Sequence, residues 1–185
     1  DILRCFALNA PELVINCSVS SPFSAYPLIC LALTLLDSAA SHTIALAPLC
    51  AWLMHPMLDT VEPLAHRLAL EQLIRDQEHP LIPWTWLLDT MKTVTPALYA
   101  RTQQALTLRL DWPKHASLPQ WHDLFYCFLQ AMGWPGPLDD TQHQCCHQWL
   151  IQSGDYCSTH SFIHPSVSGK RAFLLLQQWS QTNQY

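Results

Sequence analysis

Fourteen prolines stand against only four glycines in this chain of 185 residues, and the prolines fall at the joints between apolar stripes of helical period. Proline lacks a backbone N–H and fixes φ near −65°, so it suits the first turn of a helix and disrupts the interior of a helix or sheet. A chain punctuated this way is predicted to be all-α, an irregular orthogonal bundle of about seven or eight helices meeting at proline elbows. Half of the residues are hydrophobic and 12% are charged, enough apolar surface for one self-contained core and too much for a disordered chain.

The stripes set the expected elements. Pro27 opens a helix that buries Leu28, Leu31, Ala32, Leu35 and Leu36, and Pro48 starts a second through Trp52 and Leu53. Asp59 or Thr60 is the predicted cap of a more polar helix through Leu64, Leu68, Leu70 and Ile74, stopped by Pro80 and Pro83. Trp84, Leu87, Leu88 and Met91 mark a fourth, and Thr95-Pro96 begins a fifth that reaches about Leu110 before Asp111-Trp112-Pro113 breaks it. Ser117 caps a sixth whose Trp121, Leu124, Phe125, Phe128, Leu129 and Met132 share one face, with Gly133 as its left-handed stop. A seventh is expected from Gln142 to about Ile151, then a His- and Ser-rich loop from Gly154 to Pro165, and a last helix through Ala172, Leu175, Leu176 and Trp179. Residues 1–22 read as an irregular linker with a candidate short strand at Leu13–Val19, and no hairpin signal or internal repeat is present.

Several function classes are excluded by what the residues cannot write. Neither G-x-G-x-x-G nor G-x-x-x-x-G-K-S/T occurs, so neither phosphate-loop motif is available, and no cofactor is expected. No two glycines stand four apart, which removes the G-x-S-x-G nucleophile elbow, although a triad assembled from distant residues stays open. The residues two before Lys92, Lys114 and Lys170 are Thr90, Trp112 and Ser168, so the D/E-x-K nuclease signature is missing. The longest apolar run, Leu28 to Leu36, is far short of the roughly 20 residues needed to span a bilayer.

Nine Lys and Arg against fourteen Asp and Glu give a net charge of −5, which disfavours nonspecific adhesion to nucleic acid and leaves only a local basic face. Arg67 with Arg75 is the first such candidate, since both can project to one surface and grip a phosphate; Lys170 with Arg171 is the second. The plainer alternative is that these are solvated residues, with Arg67 or Arg75 paired to Glu71. Trp112, Trp121 and Trp134 are candidates for base stacking, against a core role that helical spacing favours. Cys157, His160 and His164 carry zinc-like spacing, with His143, Cys145, Cys146 and His147 upstream, but no C-x-x-C pair accompanies them and an exposed polar loop is the simpler reading. Cysteines embedded in apolar segments point to a reducing cytoplasm, and ten His predict poor acid tolerance.

The segment Trp121 to Gly136, W-H-D-L-F-Y-C-F-L-Q-A-M-G-W-P-G, resembles the W-x-x-x-F-x-x-x-L-x-x-x-G-W-P-G stretch of bacterial AddB/RecC-type DNA-repair helicase–nuclease subunits. Weaker matches keep the same order: Tyr26-Pro27-Leu28-Ile29 resembles Y-P-L-I/V, Leu70 to Arg75 resembles L-D-x-x-L-R, Leu138-Asp139-Asp140 resembles L-D-S, and Ala172 to Gln178 resembles A-x-x-x-L. Departures occur at His55-Pro56-Met57, where the family has S-P-F, and at Glu71, where it has Asp. The resemblance implies a single helical domain over 1–185, an accessory insertion of a longer helicase-like protein whose D/E-x-K exonuclease lies elsewhere. On that expectation the fragment is not an enzyme, Asp1 in place of an initiator Met is a cut end, and the partners are DNA, neighbouring lobes and a helicase–nuclease subunit. Trp121, Phe125, Leu129, Gly133, Trp134, Pro135 and Gly136 are then structural, not chemical, residues.

Overall fold

The computed structural model describes residues 21–39 and 41–184, which form an irregular bundle of eight α-helices. In chain order these are α1 (Pro27–Ala39), α2 (Leu46–Leu53), α3 (Leu64–Arg75), α4 (Trp84–Val94), α5 (Pro96–Leu110), α6 (Leu118–Ala131), α7 (Asp140–His160) and α8 (Gly169–Thr182). Short 3-10 turns at Phe23–Ala25 and Pro56–Leu58 precede α1 and α3. Nine of the thirteen residues of α1 are buried, which makes it the interior helix, apolar nearly all round. It packs against α2, α6, α7 and α8, and one apolar cluster runs through the described residues.

Local chemistry explains most boundaries. Pro96 occupies the first turn of α5, where its missing N–H costs nothing. Ser117 Oγ accepts from the Gln120 N–H while Gln120 Oε1 accepts from the Ser117 N–H at 3.0 Å, a reciprocal box at the start of α6. Asp139 and Gln142 repeat the device at α7. Gly133 closes α6 with φ +92°: its N–H reaches the Gln130 carbonyl at 3.0 Å and the Trp134 N–H reaches Leu129 at 2.9 Å, so both orphan carbonyls are satisfied. Gly136, at φ +74°, follows the cis Trp134–Pro135 bond and lies so close to Met57 that an added Cβ would sit 2.4 Å from the Met57 Cβ.

Four expectations are corrected. A two-stranded antiparallel ladder joins β1 (Thr43–Ala45) to β2 (Leu81–Pro83), with Ile44 opposite Ile82 and both buried. Strands of three residues are too short to display alternation, and their pairing is set by the fold around them. The N-cap of α3 is Pro63, not Asp59 or Thr60; the Asp59 carboxylate pairs with Arg67 instead. The start of α2 is Leu46, with Pro48 inside its first turn. The loop expected at Gly154–Pro165 is helix as far as His160, because Ser153 and Cys157 continue the buried face of Cys145 and Trp149 at four-residue spacing. The candidate strand at Leu13–Val19 lies outside the described residues, as does most of the 1–22 linker; Pro22 is described and bridges Gln184. No described helix is long and apolar enough to cross a membrane.

Candidate functional site

Arg67 faces inward. Its side chain is fully buried, so it is removed from the set of DNA-contact residues: Nη1 donates to the Leu53 carbonyl at 2.8 Å and the His55 carbonyl at 3.2 Å, Nε donates to the Glu62 carbonyl at 3.1 Å, and Nη2 donates to Asp59. These acceptors end α2 and build the 3-10 turn, so one guanidinium satisfies the carbonyls where the chain reverses. Glu62 is equally buried and points the other way. Its Oε2 accepts from the N–H groups of Ala97 and Leu98 at 3.0 and 3.1 Å, placing a carboxylate at the amino end of α5, and Oε1 meets His66 Nδ1 at 2.8 Å.

Arg75 is exposed but engaged, bonded to Glu71 at 2.5 Å across one turn of α3; that hydrogen bond raises its already high pKa. Arg67 and Arg75 therefore do not share a surface, since one serves the core and the other a neighbouring acid. Lys170 and Arg171 differ. Both are exposed in the first turn of α8, whose N-cap is Ser168, and neither makes an ion pair among the described residues. Cations at a helix amino end face its positive pole, so their placement does nothing for the helix itself.

The aromatic candidates are all packed. Trp121 donates its indole N–H to the Val167 carbonyl at 2.9 Å, and Trp134 donates to Leu28 at 2.8 Å. Trp112 is half-buried and meets Trp121, Phe125 and Phe128 edge-on at 5.5–5.7 Å. Trp121 and Trp134 are buried, so neither offers the free ring face that stacking on a base requires. No family model, curated protein or solved structure matches the chain.

Cys157, His160 and His164 are not brought together, and no three His, Cys, Asp or Glu side chains converge among the described residues. Their zinc-like spacing fails because Cys157 is on the buried face of α7, where desolvation pushes its thiol up to about 12, while His160 turns outward to Tyr156. Cys146 is likewise pushed up to about 12 by burial, and the described cysteines are free thiols.

One constellation looks catalytic at first inspection: His122 Nε2 lies 2.9 Å from Ser153 Oγ, with Asp123 beyond. Burial speaks against it. Ser153 is fully buried, which leaves its hydroxyl without access to a substrate, and that hydroxyl is within reach of the Leu150 carbonyl at 3.2 Å as well as of His122. Desolvation lowers the His122 pKa, and Asp123 sits 3.9 Å from Nδ1, too far to orient the ring.

Two surface features were not legible in the sequence. An open groove lies where α7 and α8 end, lined by Gln152, Asp155, Tyr156, His160, Trp179 and Asn183 among others. Reading α7 as ending near Ile151 hid it; the i, i+4 spacing of Asp155–Thr159 and Tyr156–His160 was the available signal. α3 also leaves Leu64 and Leu68 exposed on one flank of its buried stripe of Arg67, Leu70 and Ile74, and Leu73 exposed on the other flank.

Proposed function

We propose that this chain is a non-catalytic helical accessory module of a DNA-break-processing helicase–nuclease, one that seats DNA phosphate and docks neighbouring lobes. The observation that carries the reading is the exposed Lys170–Arg171 pair, which has no acidic partner among the described residues and no structural task in α8. The AddB/RecC-type resemblance at Trp121–Gly136 supplies the context, and those residues act as scaffold: Gly133 turns the chain, Trp134 anchors the turn against α1, and Gly136 lets it approach Met57. Exonuclease chemistry belongs on this view to other parts of a longer chain. Four of the six described cysteines are buried free thiols, which supports a cytoplasmic setting.

The test is a salt titration of single-stranded and duplex DNA binding with the chain and its K170A/R171A variant. Loss of two phosphate contacts lowers affinity and reduces the slope of log K against log salt by about 1.8 for duplex and about 1.4 for single strands. An unchanged affinity and slope would end the DNA reading. A second reading, a protein-docking scaffold without DNA contact, is favoured by the exposed leucines of α3. Leu68→Lys separates the two, since it should abolish capture by a docking partner and leave DNA affinity unaltered.

A further inference from the structure

We propose that His143 and His147 of α7 form a two-histidine chelate for a divalent transition-metal ion of the nickel, copper and zinc group. The inference is independent of the DNA reading and uses none of Cys157, His160 and His164.

One helical turn separates the two residues, so their side chains rise from the same flank of α7, about 40° apart around its axis. The imidazole rings lie nearly parallel, at 12°, with centres 6.2 Å apart. A metal ion about 2.0–2.1 Å from one nitrogen of each ring sets the ring centres roughly 5 Å apart, so the pair has about 1 Å to close. Rotation about χ1 and χ2 covers that distance, since both side chains are exposed and neither ring is hydrogen-bonded or ion-paired among the described residues.

The backbone beneath the pair is fixed. Asp139 Oδ1 accepts from the Gln142 N–H at 2.8 Å and Gln142 Oε1 accepts from the Asp139 N–H at 3.2 Å, which closes the first turn of α7 immediately before His143. Cys145 and Trp149 bury the opposite side of the same two turns. Two imidazoles held at one spacing bind as a unit, the second meeting an ion that the first has already localised.

The surrounding charge favours a cation. Asp140, three residues before His143 on the same flank, is exposed and without an ion pair among the described residues, and with Asp139 it offsets the positive pole at the amino end of α7. No third His, Cys, Asp or Glu side chain converges on the pair among the described residues, so a bound ion keeps positions open to water. Imidazole nitrogen selects nickel, copper and zinc over calcium and magnesium, which take oxygen ligands.

The experiment is an isothermal titration of the chain with nickel chloride, with zinc chloride and with magnesium chloride, alongside an NMR titration that follows the histidine ring signals. Nickel and zinc avoid the oxidation that copper(II) brings to free thiols such as the exposed Cys30 and Cys127. The ring signals of His143 and His147 should shift or broaden by one equivalent of metal. His143→Asn and His147→Asn, at exposed positions where the melting temperature should not change, should each weaken nickel binding at least about tenfold. The double variant should bind within about twofold of either single one, because a chelate is lost with its first ligand. Undiminished affinity in either single variant, losses that multiply in the double variant, magnesium binding as tight as nickel, or ring shifts confined to other histidines would overturn the proposal.

Discussion

The indole N–H of Trp134 donates to the carbonyl oxygen of Leu28 at 2.8 Å, fastening the turn after α6 to the first turn of α1. The same indole meets Trp149 of α7 edge-on at 5.6 Å, so three helices depend on one side chain. Trp134→Phe keeps most of the apolar contact, loses the hydrogen bond and leaves a small void. It should cost about 2 kcal/mol in urea unfolding, with little change in helix content.

Arg67→Met tests the inward placement of that guanidinium. Carbonyls of Leu53, His55 and Glu62 would lose their donor inside the protein, for an expected loss of about 3 to 4 kcal/mol. Binding to DNA, measured well below the melting point, should stay as in the parent chain; a selective loss of DNA affinity in a stably folded variant would return Arg67 to the surface.

The two left-handed glycines differ in what surrounds them. Gly136→Ala drives a methyl into the Met57 backbone and side chain and should cost roughly 3 kcal/mol or more. Gly133→Ala meets only the movable end of Arg101 at 3.0 Å and should cost about 1 kcal/mol, mostly from its φ. Equal losses at both positions would contradict the close packing described for Gly136.

Acid should destabilise the chain through two histidines. Desolvation lowers the pKa of both His55 and His122 below the ordinary 6.5. The unfolded state then binds more protons, so their contribution is complete above pH 6.5 and is lost as pH falls through that value toward the folded pKa. Protonation at His55 also removes the Nδ1 acceptor that holds the Met57 N–H at 3.2 Å. The melting temperature should fall from about pH 7.5 to about pH 5, and the double variant His55→Asn/His122→Gln should show a flatter profile.

Legibility followed the range of the interactions involved. The start and stop of α6 were readable because Ser117, Gln120 and Gly133 act within a few residues of themselves. Extension of α7 beyond Gly154 was not, since the neighbouring Ser153 and Cys157 are buried by the tertiary fold, with Ser153 in contact with His122 of α6. The inward placement of Arg67 is illegible for the same reason: its carbonyl acceptors come together only after α2 and the 3-10 turn have folded beneath it. Ile44 and Ile82 are partners across a ladder that no local pattern announces. Exposure of Lys170 and Arg171 was readable, as they follow a serine cap and precede the apolar stripe of α8.

The Glu62 carboxylate grips the leading amides of α5 while its own backbone oxygen receives Arg67 of α3. Neither helix can therefore peel away without exposing charges that the other keeps dry. Fluctuations across this stretch should be concerted, so the middle of the chain opens to solvent as one cooperative block instead of fraying helix by helix.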